Sequence, residues 1–451
     1  MDNNDIYNLI AEGEGQLPST MGVLPATPDF DFSETYLKNV FNDSSDFEVV
    51  SFERNAEEES DFVSLAAAVT VKIWDADINF NLYVCRNEIN LNEFGFANRV
   101  GEEELDLAIA AKEYLEITMY FDPESLTDSF LIQLKLLNLF VPQSSIAIDF
   151  SSLQLLSGHW LRMSAASDVP PSPDYLFTIH AVYEGEGEQQ RYWLHTHGLH
   201  RCGMVEFEVL DLQNGAQDIA TMMTIVVKKL LGDLIPEEET FEVGYDGTGL
   251  NLCWVRWEKA LEYFESLSIG GLPDRLDENN ELNIHGGPSG VLFAVENDRL
   301  ISPELYVKTL QDNPIYFITN EETARMSALA IERFDLFKRL FDVHKAPSKK
   351  TSFFTSIFQK QEKSDEEWRF LVKIGVVVDD AENDSQREHL WFELISAKDT
   401  AITGVLLNQP YWIKDLNEGD INMYELSDLT DWIIYGPEGS YTADTIYELY
   451  L

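Results

Sequence analysis

One stretch divides this chain before any element is assigned. Residues 345–363, KAPSKKTSFFTSIFQKQEK, bring Pro, Ser, Thr and five lysines into an otherwise acidic sequence. Such a composition interrupts regular structure, so the segment reads as an interdomain linker and the chain beyond it must fold as a separate piece. Just upstream, RMSALAIERFDLFKRLF at 325–341 sets Leu329, Arg333, Leu336 and Leu340 at helical spacing, and a helix is expected to close the preceding domain there. A softer boundary falls at 167–175, SDVPPSPDY, whose three prolines favour extended backbone. At roughly 100 to 200 residues per domain, the length allows two to four domains. The reading adopted is an N-terminal α+β domain at 1–170, a middle α+β domain at 171–343, a basic linker at 344–366 and a small sheet-rich domain at 367–451.

Periodicity supplies the fold class. FVSLAAAVTVKIWDADINFNLYVC (62–85) reads as paired strands, whereas EEELDLAIAAKEYLEI and DSFLIQLKLLNLF read as helices. In the middle region LFTIHAVYEG, QRYWLHTHGLH and MVEFEVLDL make a three-stranded pattern, followed by a helix at DIATMMTIVVKKLL and strands at LCWVRW and GVLFAVEND. The C-terminal piece runs WRFLVKIGVVVD, HLWFELISAKD, AITGVLLN and DINMYELSDLTDWIIY, short strands separated by polar turns. The expected fold is therefore multidomain α+β, with mixed or antiparallel sheets and flanking helices. Trp160, Trp193, Trp254, Trp391, Trp412 and Trp432 sit in or beside apolar runs and read mostly as core or interface anchors.

Charge bounds the partners. Asp and Glu number 80 against 31 Lys and Arg, a formal net charge of -49. A surface this negative repels nucleic acid and anionic lipid and speeds encounter with basic proteins or cations. With 45% hydrophobic and 12% aromatic residues, the chain has the apolar area to fold and is not a disordered acidic tail. Three cysteines, Cys85, Cys202 and Cys253, are odd in number and form no CxxC pair, which fits reduced thiols. With no leader-like N-terminus and no long apolar run, a cytoplasmic protein without stable membrane association is expected. Phe353, Phe354, Ile357 and Phe358, beside Lys349, Lys350 and Lys360, would share a helical face, and this basic segment is expected to dock on the protein's own acidic surface.

The sharpest cluster of chemistry is HTHGLHRC. Alternate residues of a strand face the same side, so His195 and His197 can point at one ion, with His200 or Cys202 returning after the Gly198 turn. Imidazole and thiolate suit zinc or another transition metal. None of the established zinc spacings is matched, so the blander alternative carries more weight: histidines at a strand end, bonded to backbone and to acidic neighbours. IHGGPSGV at 284–291 has the look of an oxyanion loop, but no G-x-S-x-G elbow accompanies it and it reads as a turn. No phosphate-binding glycine motif is present. No catalytic residue and no cofactor follow from these motifs.

Two stretches carry a resemblance. At 387–435, Trp391, Gly404, Leu406, Asn408, Pro410, Gly419, Asp420, Asp431 and Trp432 follow a pattern that resembles the bacterial YegJ-like domain of unknown function. That resemblance implies no catalytic residues. DYLFTIHAVY with YWLHTHGLHRCGMVEFEVLDL is similar to a strand-turn-strand of suppressor-of-fused-like domains, which implies an immunity or protein-binding role. The leading expectation is thus an acidic protein-binding protein that neutralises a basic toxin or effector by occlusion. The alternatives are a metal-dependent enzyme built on His195, His197, His200 and Cys202, and a nucleic-acid mimic that inhibits a DNA-binding enzyme.

Overall fold

The computed structural model describes residues 3–11, 15–74, 76–231, 235–244, 249–265, 268–277, 279, 281–312, 320–345, 368–381, 383 and 386–450. Residues 346–367, with the phenylalanines and lysines of the basic segment, lie outside the described residues. The chain forms two compact units, one of Met1–Ala166 and Pro170–Phe317, the other of Ser167–Val169 and Ile318–Leu451. The multidomain α+β architecture expected from periodicity is the one observed, built on three mixed or antiparallel sheets with flanking helices.

In the first unit, the first sheet uses β1 (Ser19–Pro25), β2 (Glu48–Arg54), β3 (Val63–Ile73), β4 (Ala76–Arg86), β5 (Gly95–Phe96), β6 (Glu113–Met119), β7 (Ser144–Asp149) and β8 (Gln154–Ser157) in the order β2-β3-β4-β6-β1-β7-β8-β5. The long alternating runs of β3 and β4 pair antiparallel from Val63 opposite Cys85 to Ile73 opposite Ala76. The helix Leu126–Phe140 buries Phe130, Leu131, Leu134, Leu136, Leu137 and Phe140, the apolar all-round character of a core helix. One expectation needs correction here. The helical reading of EEELDLAIAAKEYLEI holds only for Glu102–Ala110, because Glu113 onward is β6, where Tyr114, Leu115, Ile117 and Met119 are buried.

The second sheet carries the chemistry of interest. It contains β9 (Thr178–Glu184), β10 (Arg191–His197), β11 (Glu206–Leu212), β12 (Phe241–Val243), β13 (Leu250–Arg256), β14 (Ser289–Glu296) and β15 (Arg299–Ile301), ordered β12-β13-β14-β11-β10-β9 with β15 on β14. Every pairing is antiparallel except β11 with β14. The amphipathic helix Ala216–Leu230 sinks Ile219, Met222, Met223, Val226 and Val227 into the core and crosses from β11 toward the other edge, as a parallel neighbour requires.

The second unit is an antiparallel sheet of β16 (Arg369–Val377), β17 (Arg387–Ala397), β18 (Ala401–Leu406), β19 (Ile421–Glu425), β20 (Leu429–Gly436) and β21 (Gly439–Thr442), ordered β19-β18-β17-β16-β20-β21. The helical run at 325–341 belongs to this unit rather than closing the preceding one. It is two helices, Asn320–Glu332 and Phe334–Lys345. Trp432 Nε1 donates to the Ala330 carbonyl (3.0 Å), Arg333 Nη1 to the Ala443 carbonyl (2.6 Å), and the Phe337 ring lies 5.0 Å from that of Trp432. Trp432 is fully buried, whereas Trp412 is 69% exposed and anchors no core of this unit. No helix among the described residues is long and apolar enough to cross a membrane.

Candidate metal centre

The hairpin of β9 and β10 builds the site. Its register places His195 directly opposite His180, and His197, two residues on, projects from the same face as His195. One ring nitrogen from each of His180, His195 and His197 lies within 4.8 Å of the others. The chain leaves immediately after His197 because Gly198 sits at φ 111°, where a Cβ would meet the Leu176 carbonyl oxygen at 2.4 Å. Only glycine fits so close a backbone approach at positive φ.

His285, from the turn Ile284–Gly286, completes the cluster. Its ring centroid lies 4.7 Å from that of His195 and 5.6 Å from that of His197. The HGGP run thus contributes its histidine, and Ser289 begins β14 rather than serving as a nucleophile: its hydroxyl is given to the Glu208 carboxylate. Trp193 flanks both rings, 4.5 Å from His195 and 4.9 Å from His285.

Across β10 from His180, His195 faces Glu208 of β11. This carboxylate is 2% exposed and saturated with donors: Trp193 Nε1 at 2.9 Å, Arg275 Nη1 and Nη2 at 2.9 and 2.6 Å, and Ser289 Oγ. Arg275, fully buried, also donates to the carbonyls of Gly270 (3.0 Å) and His285 (2.8 Å). It therefore neutralises Glu208 and fixes the backbone that carries His285. A bidentate arginine pair with its remaining donors filled is the arrangement that makes a buried charge tolerable.

The histidines present the opposite condition. His195 Nδ1 and Nε2 and His197 Nε2 are buried with no hydrogen-bond partner among the described residues. An unpaired buried polar atom costs about 1–3 kcal/mol. Burial first, then the neighbouring imidazoles, lowers the basicity of His195 to about 2 and of His197 to about 3, and burial lowers His180 and His285 as well. The rings are therefore neutral at ordinary pH, the form in which imidazole binds a metal. In tetrahedral zinc the ligand nitrogens are about 3.4 Å apart, so the three nitrogens, within 4.8 Å of one another, would draw slightly together around an ion. The donor set fits zinc, copper or nickel better than magnesium or calcium, which take oxygen.

Of the four sequence candidates, the structure unites His195 and His197. His200 turns its Nε2 to the Pro288 carbonyl at 2.8 Å, with Nδ1 3.9 Å from Glu206 Oε1. Cys202 is buried in the next turn, where burial pushes its thiol up to about 12, away from the thiolate that a metal needs. His180 and His285 were not anticipated. For His180 a signal existed, since the antiparallel pairing of TIHAV with WLHTH puts one histidine opposite another. For His285 there was none, because the turn is held in place by Arg275. A recess with room for about 20 Å³ opens beside the cluster, walled by His195, His197, His200, Glu206, His285 and Ser289.

Three family models match the chain. Residues 19–171 match the N-terminal part of a protein of unknown function, DUF4026, residues 179–293 match its C-terminal part, and residues 342–450 match DUF2314, an uncharacterized protein conserved in bacteria. In chain order, the two DUF4026 matches precede the DUF2314 match. No curated protein and no solved structure matches significantly. All of His180, His195, His197, Glu208, Arg275, His285 and Ser289 fall within the DUF4026 C-terminal match. DUF2314 covers the stretch whose tryptophan and glycine pattern drew notice in the sequence.

Proposed function

We propose that this chain is a metal-dependent enzyme whose DUF4026 C-terminal region holds a transition ion, zinc foremost, on His180, His195 and His197. The observation that carries this reading is the set of three unpartnered imidazole nitrogens on two neutral, buried rings, with a third histidine's nitrogen in range. Three protein ligands with a further position open to a recess is the arrangement of catalytic rather than structural zinc. The recess has room for about 20 Å³, enough for a water-sized group and far below the roughly 300–1,000 Å³ of pockets that enclose drug-sized ligands, so a larger substrate would have to reach the ion from outside it. The test is elemental analysis of untagged protein purified without chelator, beside the double variant His195→Ala/His197→Ala. Near-stoichiometric metal that vanishes in the variant is expected. Folded wild-type protein that stays metal-free after incubation with zinc, copper and nickel would overturn the reading.

A second reading is favoured by the net charge of -49 together with exposed apolar side chains on the C-terminal unit, Tyr411 at 89%, Trp412 at 69% and Met423 at 71%. Aromatic anchors inside a charged surface are the composition of a protein-binding face. On this reading the chain captures a basic toxin or effector through that unit, a role in keeping with the resemblance of the middle region to suppressor-of-fused-like domains. Purified basic candidates encoded beside this chain should lose binding on Trp412→Ala. If none binds the wild-type protein, this second reading fails.

A further inference from the structure

A second pocket shares His200 and Pro288 with the recess beside the histidines and differs from it in size and chemistry. Its other walls are Ile6 and Leu9, on the helix Asn3–Ala11, and Gln16 and Leu17, where the chain returns toward β1. We infer that this pocket is the binding site of an uncharged, apolar small molecule. The inference is independent of the metal reading, since neither shared wall residue is a ligand of the proposed ion. The pocket has room for about 390 Å³, whereas protein interiors hold few voids larger than a water molecule. An apolar cavity of about 150 Å³ accepts benzene, so on the same scale this one takes roughly fifteen carbon-sized atoms.

Hydrogen bonds hold the walls apart at fixed positions. Tyr7, 3% exposed, donates through its hydroxyl to the Ser289 carbonyl (2.6 Å) and accepts from the Ser289 amide (2.9 Å), which pins the helix to the start of β14. The chain then doubles back beneath the helix: Gly15 N donates to the Leu9 carbonyl (2.9 Å), and a Cβ on Gly15 would meet the Ile10 amide nitrogen at 2.6 Å. Leu17 N donates to the His200 carbonyl (3.0 Å), and Gln16 Nε2 to the carbonyls of Phe121 (3.1 Å) and Arg201 (2.6 Å). Closing the pocket by moving the helix inward would break these bonds, so the space is a built feature of the unit. Its lining selects the ligand. No carboxylate, ammonium or guanidinium side chain lines it among the described residues, the Gln16 amide nitrogen is spent on carbonyls, and His200 Nε2 is spent on the Pro288 carbonyl. A charged group would lose its hydration there without gaining a partner, and an anion would also meet the field of a chain of net charge -49. An apolar group gains its transfer from water.

The experiment titrates full-length protein with N-phenyl-1-naphthylamine, an uncharged probe whose fluorescence rises in apolar surroundings, and then displaces it with 1-decanol or with sodium decanoate. Saturable binding is expected, with decanol displacing the probe at concentrations at least tenfold below those of decanoate. Two variants, Leu17→Trp and Ile6→Trp, place an indole in the pocket from opposite walls, and each should weaken probe binding at least tenfold; circular dichroism checks that each is folded. Leu17 is 53% exposed, so its enlargement asks for no space in the core. Absence of saturable binding to the wild type would overturn the inference, as would binding that survives unchanged in a folded variant. Decanoate displacing the probe as readily as decanol would overturn the assignment to an uncharged ligand.

Discussion

Two polar groups lie side by side on one sheet and have been treated in opposite ways. Glu208 is buried and meets four hydrogen bonds, two of them from Arg275; His195, its neighbour across the β10–β11 ladder, is buried and meets none. Saturation marks a group whose work is finished within the chain, since every lone pair in use stabilises the fold. Unsatisfied nitrogens, held neutral and converging, are the groups that a ligand from outside the chain would stabilise. The comparison sets Glu208 and Arg275, spent within the fold, against the histidines, whose binding role is the reading proposed above.

The strongest way to break that contrast is to unpair the saturated side. Arg275→Met leaves the Glu208 charge buried and uncompensated, and should cost about 3–5 kcal/mol, read as a lowered urea midpoint at unchanged slope. The double variant Glu208→Gln/Arg275→Met should recover a large part of that loss, because it removes the orphaned charge as well. A loss from Arg275→Met below about 1 kcal/mol would show the pair to be ordinary surface-like electrostatics and dissolve the contrast.

Of similar size is the pH dependence of the metal-free protein. In the folded chain His195 and His197 titrate at about 2 and about 3, against an ordinary value of 6.5. Below about pH 6.5 the unfolded chain therefore binds protons that the folded chain does not, and stability falls as pH drops, until the folded-state values are reached. Each ring contributes a slope of about 1.4 kcal/mol per pH unit. Comparing denaturation midpoints of wild type and His195→Gln/His197→Gln between pH 4 and pH 6 should show the wild type losing stability more steeply, by up to two protons' worth. Equal slopes would mean that these rings already share a proton or a partner in the folded state.

A smaller effect is expected from Trp193→Phe. The change removes the indole donor to Glu208 and keeps an aromatic ring between His195 and His285, so it should cost about 1 kcal/mol and leave metal stoichiometry unchanged. A loss of metal binding would show that Glu208 governs the histidines directly and is no mere neighbour.

The sequence shows some of this well. Alternation in 62–85 and in the three strands from 178 to 212 was strong enough to place β3, β4, β9, β10 and β11, because a strand with one buried face repeats every second residue. The turn from helix to β6 after Ala110 was hidden, since ELDLAIAAKEYLEI satisfies both periods over a short window. The helices at 320–345 looked like the end of the preceding domain because helical spacing gives a face, not the sheet it packs on; Trp432 and Ala443 settle that. At the site, two of four residues were legible. His195 and His197 are two apart in one strand, but His180 needed the register and His285 needed Arg275, both long-range facts.

The smallest predicted change bears on that last lesson. Cys202 and His200 follow His197 so closely in HTHGLHRC that proximity alone recommends them as ligands, yet the turn at Gly198 carries them off. His200 is satisfied at the Pro288 carbonyl, and the Cys202 thiol is held protonated by burial. Cys202→Ala and His200→Gln should each bind metal with wild-type stoichiometry, whereas His180→Gln should weaken binding at least tenfold, a difference of about 1.4 kcal/mol. If the order is reversed, and Cys202→Ala loses metal while His180→Gln does not, then the ligands are set by nearness along the chain and the cross-strand triad is a packing arrangement of neutral rings.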